Sequence, residues 1–440
     1  MKSFFKHYVE FVRQPDVIRL LVVALFTRMP VGMVGFAMLM FLREALGNFT
    51  LAGSAVGINF VAMAAMAPVV GRIIDRHGPR LPLLVTGTVA PLALLGVLFT
   101  ARSGMPFSAV ATCAALAGAF ATPITTLTRT AWRHRFERED DRRTAFSLDA
   151  VMIEINFTLG PAIVAFFLAH ASATAGFGFA IAMVVGAWIV FLAGPTLRYF
   201  AKSEATDRHM FGPLTEPRLW LVFMASFGMT TCFGLLEVGY PAYATALAMP
   251  ALGGVLLSIN SLGSALGGAI FGGLNLRAPV ERQFACVLGL MAIPVFLHTV
   301  VSGTVGFAIV AFLAGALIAP SIAAQSVLIS RLAPAQYATE AFTWSSTFIV
   351  SGLGAGMALG GFLVETTGLR SAFATGAASV AAMAVLGLAI TSGAARRARA
   401  RSRGLTSPCG SRPMRSSTRA AASPPRARGP RARRAAASAP

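Results

Sequence analysis

Three ionisable side chains stand in the middle of long apolar stretches, where their chemistry is costly unless it is used. Arg28 lies within Val17–Leu42 and is followed by Met29, Pro30 and Gly32. Glu154 lies within Phe146–Ala169, with Thr158 and Pro161 at helical spacing on its face. Glu237 lies within Leu219–Ala244, beside Gly234, Tyr240 and Pro241. A charge at membrane depth costs roughly 2.5–3.5 kcal/mol on insertion scales, so such groups are paired or functional. In the functional reading Glu154 or Glu237 carries a proton or cation, and Arg28 neutralises it or binds an anionic substrate. A structural Arg28–Glu154 ion pair stands equally open. For Glu237 the carrier reading is preferred, because no basic residue inside the later apolar stretches can partner it. Asp149, near the start of its stretch, reads as a solvated or capping residue, and His298 as interfacial packing.

The elements that must position these groups follow from composition. Of 440 residues, 56% are hydrophobic and 12% charged, and the mean hydropathy is +0.70. Soluble domains carry about 25% charged residues. Lipid is therefore the solvent for most of the chain, and in lipid the backbone must satisfy its own hydrogen bonds. Unbroken apolar runs select helices over a barrel of short alternating strands. Stretches of spanning length fall at Val17–Leu42, Ala52–Gly71, Leu81–Ala101, Phe107–Leu127, Phe146–Ala169 and Ala175–Leu197. Six more follow at Leu219–Ala244, Gly253–Leu274, Phe284–Val301, Gly303–Ile329, Ala341–Val364 and Ser371–Ser392. The first is too long for a signal h-region and lacks a cleavage site behind it. The expectation is an all-α membrane protein with twelve transmembrane helices.

Charge orients it. Counted with the N-terminus inside, the inner connections hold 20 basic residues before the tail, while the outer ones hold only Arg43, Arg102 and Arg370. Positive residues stay inside, so both termini are expected in the cytoplasm and the protein in the plasma (inner) membrane of its cell. The net charge of +20 is therefore no nucleic-acid signal, since 13 arginines from Arg396 onward supply most of it. That Ala-, Arg-, Pro- and Ser-rich tail, 393–440, cannot build a core and is expected to be disordered. It either draws on anionic lipid or is passive sequence.

The chain also repeats itself. Leu116-Ala-Gly-Ala-Phe-Ala-Thr-Pro123 resembles Leu313-Ala-Gly-Ala-Leu-Ile-Ala-Pro320, and Ala145-Phe146-Ser147 resembles Ala341-Phe342-Thr343. Ile58-Asn59 matches Ile259-Asn260, and Gly71 matches Gly272. The offsets agree at 196 to 201. Two parallel six-helix halves follow, 1–197 and 219–392, joined by a polar central loop, 198–218. Such duplication is expected of transporters that rock two bundles about a midplane site.

At the inner end of the second stretch stands Gly71-Arg-Ile-Ile-Asp75-Arg76-His-Gly78-Pro79-Arg80. It resembles the G-x-x-x-D-R-x-G-r-k signature of the major facilitator superfamily, with Pro79 departing from a usually basic position. Gly71 would let helices approach, Gly78 would permit a turn of unusual dihedrals, and Asp75 could face a helix N-terminus. The resemblance covers about Val17 to Ser392. It implies two pseudo-symmetric bundles whose first, fourth, seventh and tenth helices line a central cavity, with the fifth contributing. Arg28, Glu154, Glu237 and Tyr240 would then be cavity residues. It also implies that Asp75 engages the start of the eleventh helix near Thr339 to Ala341, and a basic residue below the fourth, Arg129. Gly71, Asp75, Arg76, Gly78, Arg80 and Arg129 would form a latch between bundles. Gly160-Pro161 resembles part of the G-P-x-x-G-G element of drug and sugar exporters, but Val164 and Ala165 replace its glycine pair. A kink with small-residue packing explains it equally well. The arginine expected four residues before Gly118 is replaced by Ala114.

The implied activity is secondary active transport of a small organic solute, proton-coupled and outward. Proton-coupled uptake is the alternative. From other classes, a membrane enzyme or a non-transporting sensor or scaffold would be required, and neither finds support. None of the six histidines forms an HxxxH-type pair, and the short loops offer no partner domain. Cys113, Cys232, Cys286 and Cys409 lack CxxC spacing, so neither disulfide nor zinc site is expected. Ser351-Gly-Leu-Gly-Ala-Gly356 and Gly360-Gly361 read as close-packing surfaces for helices, not a phosphate loop. No cofactor or metal is called for, and a monomer in the bilayer is expected.

Overall fold

A computed structural model describes residues 14–136, 138–194, 197, 216–274, 276–334 and 338–405. The first half contains α1 (Pro15–Leu46), α2 (Phe49–His77), α3 (Arg80–Arg102), α4 (Phe107–Ala119), α5 (Ile124–Arg135), α6 (Glu139–His170) and α7 (Ala173–Ala193). The second contains α8 (Pro217–Ala246), α9 (Pro250–Gly273), α10 (Val280–Leu297), α11 (Thr304–Gly315), α12 (Ile318–Leu332), α13 (Ala338–Thr366) and α14 (Leu369–Leu405). Among the described residues twelve spans are long and apolar enough to cross a membrane, with α4 and α5 making the fourth and α11 and α12 the tenth. Some helices run further than the apolar stretches. The helix α6 begins in the charged segment at Glu139, and α14 continues past Ser392, so the tail's first residues are helical. From Ala395 the chain forms a separate unit. Most of the central loop, and the tail beyond Leu405, lie outside the described residues.

Local signals start and stop the helices. Pro15, Pro217 and Pro250 stand in first turns, where a missing N–H costs nothing. Asn48 and Ser172 accept hydrogen bonds from the backbones of Leu51 and Ala175. Gly47 and Gly78 end α1 and α2 at φ of 84° and 82°, which a side chain would resist. Large apolar side chains project outward, with Val305 76% and Phe99 67% exposed. An apolar rind of this kind has lipid as its solvent.

Call the end at which α1 begins proximal and the opposite end distal. One continuous buried cluster joins both halves in the distal part, with Phe36, Met40 and Phe49 from the first and Tyr240, Leu256 and Met357 from the second. Toward the proximal end the buried clusters belong to one half each. Val17, Leu20 and Trp132 form one, Ile74, Leu83 and Phe191 another, and Phe223, Phe284 and Leu328 a third. Two seams make the distal closure. Along α2 and α13, a Cβ on Gly53, Gly57, Gly354 or Gly361 would press into the facing backbone. Along α6 and α9, Gly254 lies against the carbonyl of Pro161, and Ser258 Oγ donates to the carbonyl of Thr158 at 2.7 Å. Gly71 on α2 and Gly272 and Gly273 on α9, all toward the proximal end, face open space. The helix approach expected of Gly71 is not made in this conformation.

Candidate functional site

The repeat is visible as chemistry. Asn59 on α2 donates to the carbonyl of Ala114 at 2.9 Å, and Asn260 on α9 donates to that of Ala311, also at 2.9 Å. Gly118 and Gly315 let the backbone carbonyls of these same asparagines press against α4 and α11. Immediately beyond, each span breaks, at Phe120–Pro123 and at Ala316–Leu317. A broken helix exposes backbone groups that hydrocarbon cannot satisfy, so breaks survive only inside protein or along a cavity. The repeated strings Leu116–Pro123 and Leu313–Pro320 therefore mark the breaks, which the apolar runs did not reveal.

Below each break a polar clasp ties three helices. In the first half Arg28 on α1 pairs with Asp149 on α6 at 2.5 Å, and each side chain is about fully buried. Arg129 Nε on α5 donates to the other carboxylate oxygen at 3.1 Å, and Trp132 Nε1 donates to the first at 3.2 Å. Arg28 also reaches the carbonyl of Thr125 at 3.4 Å. The partner of Arg28 is thus Asp149, not Glu154. Asp149 is neither solvated nor a cap, because two guanidinium groups and an indole N–H compensate its burial. In the second half Gln325 on α12 donates to Ser226 on α8 at 2.5 Å and to Ser345 on α13 at 2.9 Å. Ser226 and Ser345 correspond to Arg28 and Asp149 at offsets of 198 and 196. The same three-helix tie is ionic in one half and neutral in the other.

The remaining acids lie elsewhere. Glu154 Oε1 accepts from Ser264 Oγ of α9 at 3.3 Å, so it sits on the seam between halves. Glu237 on α8 is partly exposed, and among the described residues no ion pair or hydrogen bond reaches its carboxylate. Tyr240, one turn on, does not line an open cavity. It is fully buried, accepts a hydrogen bond from Asn260 at 3.3 Å, and packs among His298, Phe307 and Phe373. Arg28 is likewise inside its bundle, at 1% exposure. His298 is buried rather than interfacial, with its ring stacked on Phe373 at 4.7 Å.

Of the latch motif, Arg76 and Arg80 are exposed, and Gly78 holds its left-handed turn with its N–H on the carbonyl of Ile74. The side chains of Asp75 and Thr339 lie outside the described residues. Arg129 is engaged by Asp149 and keeps about half its side chain exposed. Gly160 abuts the backbone of Gly32 on α1, which makes Gly160-Pro161 a close-packing element. Among the described residues no group of three His, Cys, Asp or Glu could hold a metal ion. Cys113, Cys232 and Cys286 are free, and Cys409 lies outside the description.

The two-bundle, twelve-span frame is similar to that of solved structures. The fold is similar to that of the nucleoside transporter NupG, at a TM-score of 0.67 and 13% identity, over 85% of this chain and 98% of that one. A point mutant of the same transporter matches at a TM-score of 0.69 and 13% identity, over 85% and 99%. No curated protein sequence matches the chain. The family described as Major Facilitator Superfamily matches residues 20–305. The chain belongs to the major facilitator superfamily and is a multi-pass membrane transporter, not an enzyme.

Proposed function

We propose that the protein exports a small organic solute from the cytoplasm in exchange for protons, with Glu237 as the residue that binds and releases the coupling proton. The observation that carries this reading is the carboxylate of Glu237. It sits on α8 beside the distal closure, with no base or hydrogen-bond donor on it among the described residues. A membrane-depth acid without a partner is costly to keep charged and is retained for use. Arg28, which could have neutralised an acid in the path, is committed to Asp149. The distribution of basic residues supports a cytoplasmic proximal end. In that orientation the distal closure faces the outside, and the bundles part toward the cytoplasm, from which an exported solute would load. Gly160-Pro161 adds little to the outward direction, since its contact with Gly32 accounts for it.

Asp75 is proposed as the latch of the opposite state, in which the proximal ends meet and the start of α13 comes within its reach. The direction is tested in everted and right-side-out vesicles under an imposed proton gradient, with a solute panel that includes nucleosides. Uptake into everted vesicles, driven by acid inside, is expected. Gradient-driven uptake into right-side-out vesicles, with none into everted ones, would replace export with uptake.

A further inference from the structure

We propose that Glu365 is a positioning residue for transport: it holds the distal gate shut by completing, from the second bundle, the helix start of α2 in the first. The α1–α2 connection is only Gly47 and Asn48, so the first turn of α2 is fixed rigidly to α1. A helix start leaves four backbone N–H groups without partners inside the helix. Asn48 takes one, accepting from Leu51 N at 2.8 Å. The N–H of Phe49 is taken by Glu365 Oε1 of α13, at 2.7 Å and across the gap between bundles. Thr50 Oγ1 donates back to the carbonyl of Gly361 at 3.3 Å, one turn earlier on α13. Phe49 itself is buried, and the Arg43 guanidinium stands 5.2 Å from its ring centre. Gly361 carries no Cβ that would push Phe49 and Gly53 away.

The charge is well placed. An anion at a helix N-terminus gains from the macrodipole, and a carboxylate–amide hydrogen bond is stronger than a neutral one. Because α2 and α13 run antiparallel, each end of the seam pairs one helix start with one helix finish. At the distal end the finish of α13 supplies the acid and α2 supplies the start. These bonds join separate bundles, so the distal ends cannot part without breaking them. Asn48, by contrast, caps α2 from within its own bundle and is kept in either state.

The test uses the full chain with Cys113, Cys232, Cys286 and Cys409 replaced by serine. Spin labels at Ser103 and Ser302 report the distal separation, and labels at His77 and Arg277 the proximal one. The distances are read by pulsed electron paramagnetic resonance in lipid nanodiscs without substrate, so the outcome is independent of the coupling proposal. Glu365→Ala should raise the ratio of distal-open to distal-closed molecules about tenfold, the scale of one charge-assisted hydrogen bond, and shorten the proximal distance in step. Glu365→Gln keeps an acceptor without the charge and should move the ratio in the same direction by less. Asn48→Ala should leave both distributions unchanged. Unaltered distances in folded, monodisperse Glu365→Ala would overturn the proposal. So would an equal shift in Asn48→Ala, which would mark fraying of α2 instead of a gate.

Discussion

Removing Asp149 should damage the protein more than removing any single group on its surface, and removing Arg28 with it should repair most of the damage. Asp149 is 1% exposed and holds Arg28, also 1% exposed, at 2.5 Å. With alanine at 149, Arg28 keeps only a 3.4 Å contact to the carbonyl of Thr125, and its Nε already lacks a partner. Breaking a buried ion pair from one side costs about 3–5 kcal/mol, because the other charge stays behind. Arg129 adds little, since its half-exposed head can turn to water. Replacing both buried charges by neutral groups is often close to neutral. Here the second half shows a neutral solution in place, in the Ser226–Gln325–Ser345 clasp. The expected result is a loss of about 3–5 kcal/mol in Asp149→Ala, and recovery of more than half of it in Arg28→Ser with Asp149→Ser. Unfolding of the purified protein by denaturing detergent, followed by tryptophan fluorescence and circular dichroism, measures both. A stable Asp149→Ala, or a double variant no better than the single one, would refute the argument that the clasp works through mutual charge compensation.

Three further outcomes follow. Asp75→Asn should leave the protein folded and inserted, because the residue lies at the membrane edge, yet reduce flux by an order of magnitude or more if it biases the two-state equilibrium as about 1.4 kcal/mol per tenfold requires. Normal flux at equal abundance would contradict it. Gly315→Ala and Gly118→Ala should each reduce folded yield, since the new methyl meets the carbonyl of Asn260 or Asn59; fluorescence-detected size exclusion reads this, and a wild-type yield for both would show that the helix contacts are soft. Asn260→Ala should cost about 1–3 kcal/mol by leaving the carbonyl of Ala311 and the hydroxyl of Tyr240 without their donor. Asn59→Ala, which frees only the carbonyl of Ala114, should cost less in the same unfolding assay.

What the sequence made legible was whatever hydrocarbon imposes. Lipid-length apolar runs gave all twelve spans, and the repeat offset gave two halves, because both are properties of strings of residues. The glycines of α13 were legible as packing surfaces, since close backbone approach needs residues without side chains. Partners across helices were harder to see. Arg28 and Glu154 share the first bundle, but nothing in the sequence says that Asp149, five residues earlier on α6, faces α1 while Glu154 faces α9. Asp149 and Glu154 lie about 140° apart around a helix of 3.6 residues per turn. The breaks in the fourth and tenth spans were hidden because their residues are as apolar as an intact helix. The signal that could have found them was present in the repeated Gly118–Pro123 and Gly315–Pro320 strings and in the paired asparagines. The sequence sets Tyr240 and Glu237 one turn apart, yet Tyr240 turns into its bundle beside Asn260 and Glu237 does not.

The coupling role of Glu237 is tested most directly by solute flux in proteoliposomes. Glu237→Gln preserves size and hydrogen-bonding capacity and removes only the titratable proton. With the solute found in vesicle transport, two assays are run on the same preparation: accumulation driven by an imposed pH gradient, and exchange of labelled for unlabelled solute at equal pH. Glu237→Gln should abolish accumulation and leave exchange within about twofold of wild type, because exchange needs only binding and rocking of the bundles. Accumulation at the wild-type level in Glu237→Gln would contradict it, and would move the coupling role to Glu154 on the α6–α9 seam.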